Sequence, residues 1–448
     1  MDAEVVAMCL QLYNAKLPSS AADPEGGAGT TTSGGTESIL MACLAHRNRA
    51  RQEFGITRPE MIVSASAHAA FDKASKMFGI NIHFIPVEPD TRKVNLRLVK
   101  RAINANTILL VGSAPNFPDG IIDDIPGLSE LAIKHNIGLH VDCCLGSFIV
   151  PYLEKCGFET QLFDFRVPGV TSISCDTHKY GFAPKGSSVV MYRSKSKLGN
   201  STRPVRRPQP DQDGLLRRHP QVSILDHHHL AWRSLRQSLL GRVPVSSAPL
   251  PLYSITVADP SVTFARCRPG ALLAGAWASM VHMGEDGYTQ SCRDIVGSAK
   301  LLLAGLTTSF PELYVLGKPL ASVVAFASHS LPIYEVGDIM SAKGWHLNAL
   351  QNPPALHLAC TKLTTPKVVE ELLADLRVAV DEVRRNVGEG KTGKGSMVTL
   401  YGLGSSSAVG PGLVREMASR CKLSPARFCS LLVLTLVRMA SDMDVLYA

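Results

Sequence analysis

The sequence predicts an α/β protein, a mostly parallel sheet sandwiched by helices, followed by a smaller C-terminal α+β domain. Three observations lead there. Between residues 30 and 195, continuous apolar strand-like runs alternate with helical segments, the pattern of a sheet buried on both faces. The chain has 448 residues, 45% hydrophobic and 19% charged, which is enough for one large domain and a smaller one. Helical periodicity resumes after Arg268, and alternating segments continue to about residue 386.

In chain order, Glu37 to Ala50 has helical spacing, Met61 to Val63 reads as a short strand, and Ala67 to Met77 is helical again. An extended segment over Ile80 to Pro86 precedes a helix over Leu96 to Ala105 and a strand over Thr107 to Val111. A helix from Gly127 to His135, a strand from Ile137 to Val141 and the apolar run Val170 to Ile173 complete this part. A further helix is expected over Ala271 to Met283. The expected organisation is a large domain over 1–195 and a disordered insertion over 196–262. The large domain returns over 263–300, followed by a small domain over 301–390 and a partly divergent tail over 391–448. Met1 to Val5 reads like the inside of a helix, so the chain is expected to begin within a larger protein.

The net charge of +8 is concentrated in residues 193–242, which hold 11 Lys and Arg against 3 Asp. The rest balances, so no basic face for nucleic acid is expected. The eleven cysteines include no C-x-x-C pair, and an odd count without a signal peptide predicts reduced thiols. No run of 18 apolar residues is present, so no transmembrane segment is expected. No metal site is expected either: His227, His228 and His229 are adjacent, point in different directions and have no Cys or carboxylate spaced to join them.

Four features carry chemistry. Ser33-Gly34-Gly35-Thr36 runs straight into a helix, either as a plain N-cap or as a phosphate cradle built from small residues and free helix N–H groups. Asp142 follows a strand, where a carboxylate can face a cationic nitrogen or merely cap a turn. Lys179, in Ser174-Cys175-Asp176-Thr177-His178-Lys179, is either an exposed loop lysine or a Schiff-base amine. His68, at a helix start, can stack on a flat ring or be structural. Together they are the parts that a pyridoxal 5'-phosphate site needs, with Asp142 and Lys179 37 residues apart.

The sequence resembles the sphingosine-1-phosphate lyase family, fold-type-I pyridoxal-phosphate enzymes related to the group II amino-acid decarboxylases. The resemblance rests on Thr32 to Leu40, His140-Val141-Asp142, Cys144-Leu145-Gly146, Asp164 to Val167 and Gly169 to Ser174. It continues in Asp176 to Gly181, Ala183 to Ser188, Arg268-Pro269-Gly270, and Gly344-Trp345 with Pro353-Pro354. It implies that Lys179 carries the cofactor and that Gly34, Gly35, Thr36, Ser174 and His178 help to hold it. It also implies that Asp142 pairs with the pyridine nitrogen, His68 stacks on the ring and Lys185 meets the phosphate of a sphingoid base phosphate.

The implied reaction is a retro-aldol cleavage giving phosphoethanolamine and a long-chain aldehyde, with His140 and Lys179 as candidate bases. A homodimer at the cytosolic face of the endoplasmic reticulum is implied too, or a cytosolic chain where the anchor is lacking. A catalytically inactive truncated or spliced homologue is one alternative. A related amino-acid decarboxylase is another, disfavoured by Asp164 to Ser188. Departures from the family are the unmatched segment 196–262, Arg266-Cys267 in place of Gly-Ser, and Cys143 in place of Ala, expected to crowd the ring face.

Overall fold

The computed structural model describes residues 1–17, 19, 25–194, 269–390 and 395–398. The expectations for 196–262, for His227 to His229, for Arg266-Cys267 and for the tail from 399 lie outside the described residues.

The large sheet is built from seven strands: β1 (Ala28–Thr32), β2 (Glu60–Ser64), β3 (Asn81–Ile85), β4 (Thr107–Ser113), β5 (Gly138–Asp142), β6 (Ser172–Cys175) and β7 (Ser188–Tyr192). Their order is β1-β7-β6-β5-β4-β2-β3. The pairs from β3 across to β6 are parallel, and β7 alone is reversed, antiparallel to both β6 and β1. α1 (Asp2–Leu12) precedes β1, and between the strands run α2 (Gly35–Phe54), α3 (Ala70–Phe78), α4 (Leu96–Ala102) and α5 (Ile125–His135). Val5, Val6, Cys9 and Leu10 bury one side of α1. The sheet core contains Leu109, Leu110, Val111, Leu139, Val141, Ile173, Val189 and Met191, all at most 1% exposed. This is the parallel, helix-covered sheet expected from the sequence.

Local chemistry sets the boundaries. The Asn95 side chain caps α4 by accepting from Leu98 N–H, and Asp124 caps α5 through Gly127 N–H. The helix expected from Ala67 begins at Ala70, because His68 Nδ1 accepts from Ala70 N–H and holds a turn there. α4 stops at Ala102 rather than Ala105, since Ile103 is extended and Asn104 Oδ1 takes the Asn106 N–H.

After the gap in description, α6 (Gly270–Ser309) runs past the boundary expected at 300/301 and is broken only at Gly284, with φ 56°. A second, antiparallel sheet of order β10-β11-β9-β8 follows, made of β8 (Leu313–Val315), β9 (Val323–Ser328), β10 (Asn348–Gln351) and β11 (Pro354–Ala359). It packs against α7 (Ile333–Ala342) and α6, and α8 (Pro366–Gly388) packs on those two helices. Two bonds join this sheet to loops of the large domain: Tyr180 Oη donates to Cys360 O at 2.9 Å, and Arg92 donates to Asn352 O at 2.7 Å while paired with Asp119. Among the described residues no helix is long and apolar enough to cross a membrane, and all eight cysteines are free.

Candidate functional site

Ligands collect at the carboxyl ends of parallel strands, and the predicted residues converge there. β1 ends at Thr32, and α2 starts at Gly35. Ser38 Oγ lies 2.6 Å from Thr32 Oγ1 and 2.8 Å from Ser188 Oγ, which pins the start of α2 to both β1 and β7. Glu37 closes the loop by accepting from Ser33 N–H and Ser33 Oγ, each at 2.7 Å. Gly34 has φ 155° and ψ 168°, a conformation open to glycine. Gly35 is needed for space: a Cβ there would sit 2.8 Å from Cys144 Sγ and 2.9 Å from Asp176 Oδ2. The loop and the first turn of α2, including Thr36, therefore form a cradle of backbone N–H groups.

Asp142 ends β5. Its Oδ1 accepts from Cys144 N–H at 3.1 Å and from Ser174 Oγ at 3.2 Å. Burial alone would push its carboxyl up. His68, His140, the Cys144 N–H and Lys179 outweigh that and hold it below the usual carboxylate range. His68 itself is exposed, at the turn before α3. Lys179 lies in the loop after β6, its Nζ 3.0 Å from Asp176 Oδ2. The other oxygen, Asp176 Oδ1, is buried without a hydrogen-bond partner. Asp176 was not singled out from the sequence, although its spacing three residues before Lys179 on one turn signals the pair. His178 Nδ1 donates to Ser187 O, which turns Nε2 toward Asp176 at 3.8 Å.

One expectation changes. Cys143 does not crowd the ring face. It lies fully buried on the opposite side of the strand end, with Sγ donating to Ala114 O at 3.0 Å and Tyr13 Oη 3.5 Å away. The thiol against the cradle is that of Cys144. His140 is completely buried, with Nδ1 2.9 Å from Ser172 Oγ and Nε2 3.2 Å from Ser174 Oγ. Burial pushes its pKa down to about 4, so the ring is neutral at neutral pH. Lys185 is exposed on the turn that leads into β7.

The donor set fits pyridoxal 5'-phosphate. An ionised buried carboxylate suits a pyridinium nitrogen, an amine on the neighbouring strand end suits an aldehyde, and the glycine cradle at a helix start suits a phosphate. Asp176 Oδ1, unsatisfied beside Lys179, marks a polar position there still open to a donor.

Residues 1–204 match the pyridoxal-dependent decarboxylase conserved domain. The chain is 46% identical over 407 residues to a sphingosine-1-phosphate lyase of Saccharomyces cerevisiae, covering 91% of this chain and 60% of that one. It is 42% identical over 401 residues to the Arabidopsis thaliana lyase, covering 90% and 64% respectively. It thus spans about three fifths of the length of these relatives. A solved Burkholderia pseudomallei sphingosine-1-phosphate lyase superposes with a TM-score of 0.69 at 36% identity, over 87% of this chain and 78% of that one. A Lactobacillus brevis glutamate decarboxylase, at 19% identity and TM-score 0.62, shares the fold. On these likenesses and the site's donor set, the chain belongs to the sphingosine-1-phosphate lyase family of pyridoxal-dependent proteins.

Proposed function

We propose that this chain carries the catalytic core of a pyridoxal-phosphate-dependent lyase that splits sphingoid base phosphates by retro-aldol cleavage. The observation that carries it is the buried, ionised Asp142 facing the same strand-end site as Lys179 and the glycine cradle, in a chain of this family. When bound, the cofactor supplies an electron sink for the charge left at C2 when the C2–C3 bond breaks. Asp142 would hold a proton on the pyridine nitrogen, His68 would cover the ring from its exposed turn, and the cradle at Gly34, Gly35 and Thr36 with His178 would fix the phosphate. Of the two candidate bases, His140 has both ring nitrogens committed to serine hydroxyls. Lys179, one fifth exposed, is the group left to take the C3 hydroxyl proton. C3 leaves as an aldehyde, and the proton that Lys179 took passes to C2 to give phosphoethanolamine. Lys185 meets the substrate phosphate as an exposed cation.

The same reading takes 1–195 with 263–300 as the cofactor-binding part, 301–390 as the small domain, 196–262 as an insertion and 391–448 as a tail. It also takes the assembly as a homodimer at the cytosolic face of the endoplasmic reticulum. The family likeness supports these. The test is purified full chain with pyridoxal phosphate and sphingosine-1-phosphate, assayed for phosphoethanolamine and aldehyde. Turnover that Lys179→Ala abolishes is expected. A folded protein that binds the cofactor but yields neither product would overturn the lyase reading.

A further inference from the structure

A chain of hydrogen bonds crosses the sheet behind Asp142. His46, on α2 and 4% exposed, places Nε2 3.1 Å from Ser172 Oγ and 3.3 Å from Thr171 Oγ1. Ser172 Oγ is 2.9 Å from His140 Nδ1, His140 Nε2 is 3.2 Å from Ser174 Oγ, and Ser174 Oγ reaches Asp142 Oδ1 at 3.2 Å. Every residue in this line is buried. Its outer end borders a cavity of about 450 Å³ at the N-terminal edge of the strands, lined also by Arg49 and His135.

The direction of each bond can be derived from both ends. At the inner end, an ionised carboxylate only accepts, so Ser174 spends its proton on Asp142 and must accept from His140 Nε2–H. At the outer end, Thr171 Oγ1 spends its proton on Leu139 O at 2.9 Å, so it can only accept from His46 Nε2–H. Ser172 then accepts from His46 as well and gives its own proton to His140 Nδ1. The two derivations meet at His140 and require one species, the neutral ring with its proton on Nε2. The burial that pushes the His140 pKa down to about 4 is consistent with that neutral ring.

We infer that His46 and His140 are positioning residues that hold Asp142 ionised through a chain of donors all directed at its carboxylate. Neither touches cofactor or substrate. His46 selects the His140 tautomer through Ser172, and His140 fixes the Ser174 hydroxyl toward Asp142. Hydrogen bonds aligned in one direction polarise one another, so the effect of His46 reaches Asp142 without contact. The role rests on reading Asp142 as the partner of the pyridine nitrogen, whereas the bond directions do not.

The test uses the full chain with ¹⁵N-labelled histidine. The nitrogen shifts of His140 are read with and without pyridoxal phosphate, and the cofactor Kd is measured by titration. In the parent, His140 should be neutral and protonated on Nε2. His46→Phe keeps the ring shape and removes the donor, and should mix the His140 tautomers and weaken cofactor binding about fivefold, the size of one ordinary hydrogen bond. His46→Gln restores a donor toward Ser172 and should recover both, although it packs less like the native ring. A proton found on Nδ1, or a His46→Phe protein with tautomer and Kd unchanged, overturns the relay. So does recovery tracking ring shape rather than donor. A parent that binds no cofactor yet shows the Nε2–H form would instead defeat the reading of Asp142 and leave the bond directions standing.

Discussion

Gly138→Ala is a test of where the His46 ring lies. Gly138 opens β5 and is not among the glycines with positive φ, so an alanine suits its backbone. Space forbids it: a Cβ would lie 2.4 Å from His46 Nδ1, 2.5 Å from Cε1 and 3.2 Å from Cγ. Carbon contacts want about 3.5–4.0 Å, so the ring must move by about 1 Å. A ring that moves this far gives up its bonds to Ser172 and Thr171. Overpacking costs about 1–3 kcal/mol, and a buried polar group left unpaired costs about 1–3 kcal/mol more. Replacing glycine within a strand returns about 0.5–1 kcal/mol, for a net loss of about 1–5.5 kcal/mol. The assay is equilibrium urea unfolding of the parent, Gly138→Ala, His46→Ala and the double variant. In the His46→Ala background the clash has no partner, and Gly138→Ala should be neutral or stabilising. A cost that stays the same in both backgrounds, or falls below about 0.5 kcal/mol in the parent, would refute the packing of His46 on β5.

Asp142→Asn removes the charge that faces the pyridine nitrogen and should weaken cofactor binding about 10- to 150-fold, read by titration. Arg92→Leu leaves the 1%-exposed Asp119 without its guanidinium and frees the Asn352 carbonyl, costing about 3–5 kcal/mol of stability. Burial already raises the Asp119 carboxyl, so that deficit should shrink toward acid pH as the group takes up a proton. His140 has a folded pKa near 4 against an ordinary value of 6.5, so the unfolded chain binds the extra proton between these values. The stability this ring contributes is present above pH 6.5 and lost as pH falls through 4, about 3 kcal/mol in all. Urea midpoints across that range should show one proton's slope, which His140→Gln removes.

Much of the site was legible because strand ends and loops carry their chemistry in short stretches. Asp142 follows an apolar run, and Lys179 follows another, so their meeting at one sheet edge follows from parallel pairing alone. The segment before β2 was less legible. Ala28 to Thr32 is all Ala, Gly and Thr, without the apolar weight that marks a buried strand, yet every residue of β1 is buried. Nothing local says that β7 runs backward, because antiparallel direction depends on which strands it joins. Cys143 was misplaced because the pleat sends successive side chains to opposite faces, and its neighbour rather than itself meets the cradle. His46 had no local signal, being one polar residue inside an otherwise ordinary helix. The hint lay elsewhere, in Gly138 at the start of an apolar strand, where a glycine often marks something packed against the backbone.

The two faces of β5 and β6 differ in a way that separates stability from function. One face presents Leu139, Val141, Ile173 and Cys175, all fully buried and apolar or thiol. The other presents His140, Asp142, Ser172 and Ser174 to α2, in a layer that otherwise holds Val63, Leu109, Val111 and Ile39. A sequence selected for stability alone would fill that stripe with aliphatic side chains, since a satisfied buried polar network is at best level with good apolar packing. Removing one member leaves its neighbours unpaired and costs several kcal/mol, whereas replacing them together leaves fewer orphans. The combined variant His46→Leu, His140→Leu, Ser172→Ala and Ser174→Ala, with Asp142 retained, should therefore unfold within about 2 kcal/mol of the parent while its cofactor affinity falls. If the four changes add as independent losses, the stripe is there to hold the sheet together. If stability survives and binding does not, these buried polar groups serve Asp142.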